Sequence, residues 1–144
     1  DNIFPVIALL EGRAAHEATR KAVAADIAAL ELLHERLQQC AADGRMTDYY
    51  EANYAIHEAF ITLADNRWLA QVIGDLRKIL RLARHKTLHA PGRMQQSLAE
   101  HLAVFAALKA RDCDAAEEAM RTHLLRQRDA LRDVARNQQS RLTP

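Results

Sequence analysis

The chain has 144 residues, with 28 Ala, 19 Leu and 16 Arg against 4 Gly, 3 Pro and 3 Phe. Helix formers this abundant, beside only 5 Val, 7 Ile and 6 Thr, exclude a β-sandwich or barrel and point to a single all-α domain. Twenty Lys and Arg against nineteen Asp and Glu argue against a free-standing nucleic-acid binder, and two isolated cysteines, Cys40 and Cys113, offer no disulfide framework.

Six helices follow from the spacing of apolar residues. The first begins near Pro5, with Ile3, Ile7, Leu10, Ala14 and Ala18 as its stripe. The second covers about Ala24 to Ala42, with Ile27, Leu30, Leu33, Leu37 and Ala41 inward, and Asp43-Gly44 ends it. The third opens at Thr47 or its neighbour and runs to about Ala64, with Tyr49, Asn53, Ile56, His57, Phe60 and Leu63 on one face. Asn66 can cap the fourth, about Trp68 to His85, whose stripe is Leu69, Val72, Ile73, Leu76, Leu80 and Ala83. His89-Ala90-Pro91-Gly92 breaks the chain before the fifth, about Arg93 to Ala110, which aligns Met94, Leu98, His101, Phe105 and Leu108. Asp112 or Asp114 caps the sixth, with Ala116, Met120, His123, Gln127, Leu131 and Val134 inward. The tail after Asn137 is polar and is expected to fray. Short connections predict an antiparallel bundle of sequence neighbours. The longest apolar run, Leu102 to Leu108, is far shorter than the roughly 20 residues of a membrane span. A chain that starts at Asp1 and enters helical pattern at once reads as a piece of a longer protein.

The informative feature is where polar residues fall on these stripes. His57, His101 and His123 lie on the apolar faces of three different helices, and Asn53 is one turn from His57. A buried imidazole without a partner costs about 1–3 kcal/mol, so three of them ask for a common explanation. One is a divalent metal, which neutral imidazoles bind and which helical bundles hold by side chains from facing helices. Three His with an amide oxygen leave coordination positions open, as in sites that take water or an external ligand. The other is a set of hydrogen-bonded core histidines.

The chain resembles the FCD domain, the C-terminal ligand-binding domain of FadR-type GntR-family transcription regulators. The resemblance rests on Ala8-Leu9-Leu10-Glu11-Gly12, Asn53-Tyr54-Ala55-Ile56-His57 and Ala64-Asp65-Asn66-Arg67-Trp68-Leu69. It continues through Pro91-Gly92-Arg93, Glu100-His101-Leu102-Ala103-Val104-Phe105-Ala106-Ala107-Leu108 and Ala115-Ala116-Glu117-Glu118-Ala119-Met120-Arg121-Thr122-His123-Leu124. It implies an all-α antiparallel bundle of about six helices around a central effector cavity. It also implies a divalent metal (zinc, with nickel or manganese as alternatives) held by Asn53, His57, His101 and His123. Asn53 stands where metal-binding members commonly have Asp, which removes a charge from the site. Ile7 lies near where members often place an Arg for the effector carboxylate.

The effector class implied is a small organic acid. With no Arg at Ile7, Arg77, Arg81 and Arg84 beside the fourth stripe are the candidates to meet it, with Tyr49 as a further lining residue. The same arginines with Lys78 also fit a solvated face. Two lone cysteines fit a reduced cytoplasmic protein, and the resemblance further implies a homodimer that reaches operator DNA only through an N-terminal winged-helix domain, which is not in this chain. Residues 1–137 then form the sensing domain and 138–144 a flexible polar tail. A small three-His metalloenzyme and a metal-free helical interaction module are the alternatives. Against the enzyme, Glu58 and Glu100 adjoin His57 and His101 but should point about 100° away, and no stripe position is read as a carboxylate.

Overall fold

The computed structural model describes the backbone of residues 2–142 and the side chains of 2–81 and 86–140. Among these residues the protein is all-α, a bundle of six helices: α1 (Ile3–Lys21), α2 (Ala24–Ala42), α3 (Met46–Leu63), α4 (Arg67–Leu88), α5 (Arg93–Lys109) and α6 (Cys113–Leu142). None of them is long and apolar enough to cross a membrane.

Local chemistry explains the boundaries. At the end of α2, Gly44 takes φ 66°. Its N–H donates to Ala41 O at 3.3 Å and that of Arg45 to Cys40 O at 3.0 Å, which closes a Schellman turn. The same pair of bonds ends α5, from Arg111 to Leu108 O and from Asp112 to Ala107 O, although the left-handed position is held by Arg111, not by a glycine. The Arg111 side chain compensates by donating to the carbonyls of Thr19 and Ala22 at the end of α1. Asn66 caps α4, its Oδ1 accepting from the N–H groups of Trp68 and Leu69 at 3.1 and 3.0 Å. Asp112, not Asp114, accepts from the Ala115 N–H at the start of α6. α6 continues past Asn137 to Leu142, with side chains 137–140 exposed.

Packing departs from sequence order in one respect. α1 and α2 are consecutive but do not pack on each other, because Val23 between them is extended (φ −97°, ψ 172°) and turns the chain away. α1 instead lies mainly along α6, while α5 packs on α6 and α2 on α3. Gly12 permits the close α1–α6 approach: a Cβ there would lie 2.5 Å from Arg121 Cγ and 3.2 Å from the Glu117 carbonyl oxygen. The main core joins Leu30, Leu37, Tyr49, Ile56, Phe60, Phe105, Leu108, Met120 and Leu124.

Two stripes differ from expectation. Val72 of α4 is 46% exposed, the inward face there being carried by Ile73 and Leu80. On α2 the buried line runs Leu30, His34, Leu37 and Cys40, so His34 and Cys40 are interior where the expected stripe residues Ile27, Leu33 and Ala41 are only partly buried. The His34 ring stacks on Phe105 at 4.4 Å, and its Nδ1 lies 2.7 Å from the Leu30 carbonyl, which satisfies that nitrogen inside the helix.

Candidate metal centre

His57 of α3, His101 of α5 and His123 of α6 meet in the middle of the bundle. One ligand-capable atom of each lies within 4.8 Å of the other two, and all three side chains are buried. Ring centroids are separated by 5.0 Å (His57–His101), 5.3 Å (His57–His123) and 4.5 Å (His101–His123). Tetrahedral zinc, with Zn–N of about 2.0–2.1 Å, needs ligand nitrogens roughly 3.3 Å apart, so these rings are within small rotations of closing on one ion.

Two rings are held by carboxylates. His57 Nδ1 donates to Glu11 Oε2 at 2.5 Å, and His123 Nδ1 donates to Glu100 Oε2 at 2.6 Å. With Nδ1 so engaged, Nε2 is the nitrogen each ring presents to the triad. This is the carboxylate–histidine arrangement that fixes tautomer and ring orientation at metal sites. Each carboxylate is backed by an arginine. Arg93 forms a two-pronged bond to Glu100 at 3.0 and 2.9 Å, both side chains being buried. Arg77 Nε lies 3.8 Å from Glu11, and its Nη1 donates to Glu58 at 2.9 Å. Burial alone would raise the Glu100 carboxyl, but the His123 and Arg93 bonds outweigh it and hold the group below its usual range.

His101 is different. Both of its nitrogens are buried without a hydrogen-bond partner. Burial, followed by the neighbouring imidazoles of His123 and His57, pushes its pKa well below the ordinary histidine value, so the ring is neutral at pH 7. A neutral imidazole is the ligand form. Asn53 is also buried, one turn before His57, and its Oδ1 has no hydrogen-bond partner. An unsatisfied amide oxygen and an unsatisfied imidazole are a donor set that a divalent cation fits.

The carboxylates correct one sequence expectation. Glu11 follows Ile7 by four residues and is itself a stripe position of α1, buried like its neighbours. Glu100 does point away from His101's direction, yet it is buried as well, because α5 is packed by α6, α2, α1 and α4 and hides a wide arc including Arg93, Ser97 and Glu100. The signal for Glu11 was its helical phase. For Glu100 no local signal existed, since its partner is on another helix.

The four residues expected to meet an acid are dispersed. Arg77 is buried at the network's edge, its guanidinium 4.6 Å over the Tyr54 ring. Arg81 opens on a groove of about 550 Å³ between α3 and α4, which Arg77 also lines. The Arg84 side chain lies outside the described residues, as does that of His85, whereas His89 is exposed.

Tyr49 is fully buried and its hydroxyl donates to Ser97 Oγ at 3.0 Å. Burial is the main cause that pushes its phenol up to about 12 from 10.0. The folded protein therefore keeps that proton over a range where the unfolded chain releases it. Stability should fall as pH rises from 10.0 towards 12, by about 1.4 kcal/mol per unit. Chemical denaturation of the wild type and Tyr49→Phe across that range checks this, the variant showing a shallower fall.

The FCD domain model matches residues 2–126. The E. coli protein McbR/YncC shares the fold, with a TM-score of 0.84 at 23% identity over 94% of this chain. This chain corresponds to 65% of the length of that one. No curated protein matches the chain in sequence. With most of its length matched, the chain belongs to the FCD domain family, the effector-binding domains of GntR-type transcription regulators.

Proposed function

We propose that this domain binds a divalent metal through His57, His101 and His123, with Asn53 completing the protein's donor set, and senses a small organic acid that takes an open position on it. The observation that carries this reading is His101. A core that only needed hydrogen-bonded histidines would not leave both nitrogens of the central ring unsatisfied, at a cost of about 1–3 kcal/mol, among two other imidazoles. The metal, when bound, supplies a positive centre for oxygen donors of the acid. Glu11 and Glu100 orient His57 and His123. Arg77 and Arg93 balance those carboxylates, and of Arg77 and Arg81 it is Arg77 that adjoins the histidine network and would meet a carboxylate. Zinc suits a set of three imidazoles and an amide oxygen, with nickel or manganese the alternatives.

In this reading the protein is a sensor and not an enzyme. Both buried carboxylates are engaged by histidine and arginine, in positioning roles. Residues 1–137 form the sensing unit and 138–144 a polar tail. A winged-helix domain of the longer cytoplasmic protein meets operator DNA, and the acid biases its arrangement by binding one state better than the other. A homodimer fits the exposed apolar side chains Trp68, Val72 and Ile79, which share one line on α4, with Val6 and Leu9 exposed on α1.

Metal analysis of protein purified without a His tag should find one divalent ion per chain after reconstitution. A content far below that would favour the metal-free module. Asn53→Asp should tighten zinc by about tenfold, the scale on which neighbouring groups alter metal affinity. Unchanged or weaker binding by calorimetry would remove Asn53 from the ligand set.

A further inference from the structure

The groove between α3 and α4 is separate from the histidines but is joined to them by one side chain. On α4 its wall is Ala70, Gly74, Arg77, Lys78 and Arg81, one face by helical spacing. On α3 it includes Tyr50, Tyr54, Ile61 and two carboxylates, Glu51 paired with Arg36 and Glu58 paired with Arg77. Its volume of about 550 Å³ suits a small molecule.

Three features indicate what it holds. Gly74 lies in the middle of a helix, where glycine is destabilising relative to alanine. A Cβ at this position would meet nothing within 4 Å, and no left-handed backbone requires the glycine. Glycine here leaves the groove wall without a side chain, and a long side chain at this position would project into that open space. Lys78 is paired with Asp75 and Arg77 with Glu58, whereas Arg81 makes no ion pair with any described residue. Tyr54 is 47% exposed; the Arg77 guanidinium lies 4.6 Å over its ring, and the rest of the ring is an aromatic surface in the groove that Ile61 and Ala70 also line. A guanidinium with no ion pair among the described residues, next to aromatic and apolar walls, matches a planar carboxylate.

We propose that this groove binds a small aromatic carboxylate, its acid group on Arg81 and its ring against Tyr54, and that occupancy is passed to His57 through Arg77 and Glu11. The route is continuous. Arg77 is shared between Glu58 at the groove, 45% exposed, and Glu11, which holds His57 Nδ1. An acid in the groove competes with Glu58 for Arg77 and so alters the charge beside Glu11. The binding site stands apart from the metal reading, and the relay gains regulatory meaning only if that reading holds.

Benzoate is the probe, titrated by calorimetry into metal-free protein. Saturable 1:1 binding in the millimolar range or tighter is expected, weakened roughly tenfold in Arg81→Ala and for acetate in place of benzoate. Gly74→Leu, which fills the groove while favouring the helix, should abolish it. No saturable binding to the wild type, or undiminished binding to both variants, overturns the site. The relay is read on the same metal-free protein by imidazole NMR. The His57 resonances should move on benzoate addition in the wild type. Unmoved His57 resonances at saturation overturn the relay. Because neither arm uses metal, their failure is distinct from a failure of the metal-centre reading.

Discussion

His101→Ala is expected to abolish metal binding and, with it, all stabilisation by zinc. In the wild type, free zinc at one hundred times its dissociation constant should add about 2.7 kcal/mol, or roughly 10 °C in Tm for a chain of this size. The substitution removes the ring that lies 5.0 Å from His57 and 4.5 Å from His123, so two imidazoles remain, too few to hold the ion. Its cost without metal should be modest. A deleted buried side chain leaves a cavity worth about 2–5 kcal/mol, but removal of two unsatisfied nitrogens offsets about 1–3 kcal/mol of that. The expected pattern is thus a metal-free protein that melts slightly lower than wild type and ignores zinc. A zinc-induced rise in Tm equal to the wild type's would show that the metal binds elsewhere.

The second large effect concerns stability. Glu100→Ala should cost about 3–5 kcal/mol, because it strands the buried Arg93 guanidinium and removes the acceptor of His123 Nδ1. The penalty belongs to the orphaned charge and not to a lost contact area. Two companions test that cause. Glu100→Gln keeps an acceptor of the same shape and should cost less. The double variant Arg93→Met with Glu100→Leu should recover much of the loss, since a buried ion pair replaced by apolar residues is often close to neutral. Urea denaturation measures all three, with the slope unchanged so that midpoints report stability. A loss under about 1 kcal/mol for Glu100→Ala would mean that water already reaches Arg93 and that the network is not sealed.

Much of the architecture was legible from local signals. Gly44, Asn66 and the Pro91-Gly92 break are punctuation that acts within a few residues; the boundaries near them fell close to where the spacing placed them, except that α4 runs three residues past the expected end at His85, to Leu88. The three histidines were legible because each sits in helical phase with apolar neighbours on its own helix, and the structure brings them to one point. Glu11 was in phase too, but a charged residue on a stripe reads as a stripe edge unless its partner is known, and that partner, His57, is 46 positions away. Arg93 and Glu100 are buried because α5 is the element with neighbours on several sides, a property of assembly that no window of α5 encodes. The pairing of α1 with α6, not with α2, is of the same kind. It depends on the extended Val23 and on the side-chain-free surface at Gly12, which acquires meaning only once Arg121 and Glu117 are opposite. His34 is interior through its own helix and Phe105: its Nδ1 is satisfied by the Leu30 carbonyl and its ring stacks on Phe105, while its Nε2 is buried without a hydrogen-bond partner.

The most direct measurement is X-ray absorption spectroscopy of protein loaded with one equivalent of zinc. Convergence of His57, His101 and His123 on one ion predicts a first shell of nitrogen and oxygen at about 2.0–2.1 Å, with the multiple-scattering signature of three imidazoles. A shell with one imidazole or none, or one containing sulfur from Cys40 or Cys113 at about 2.3 Å, would contradict it.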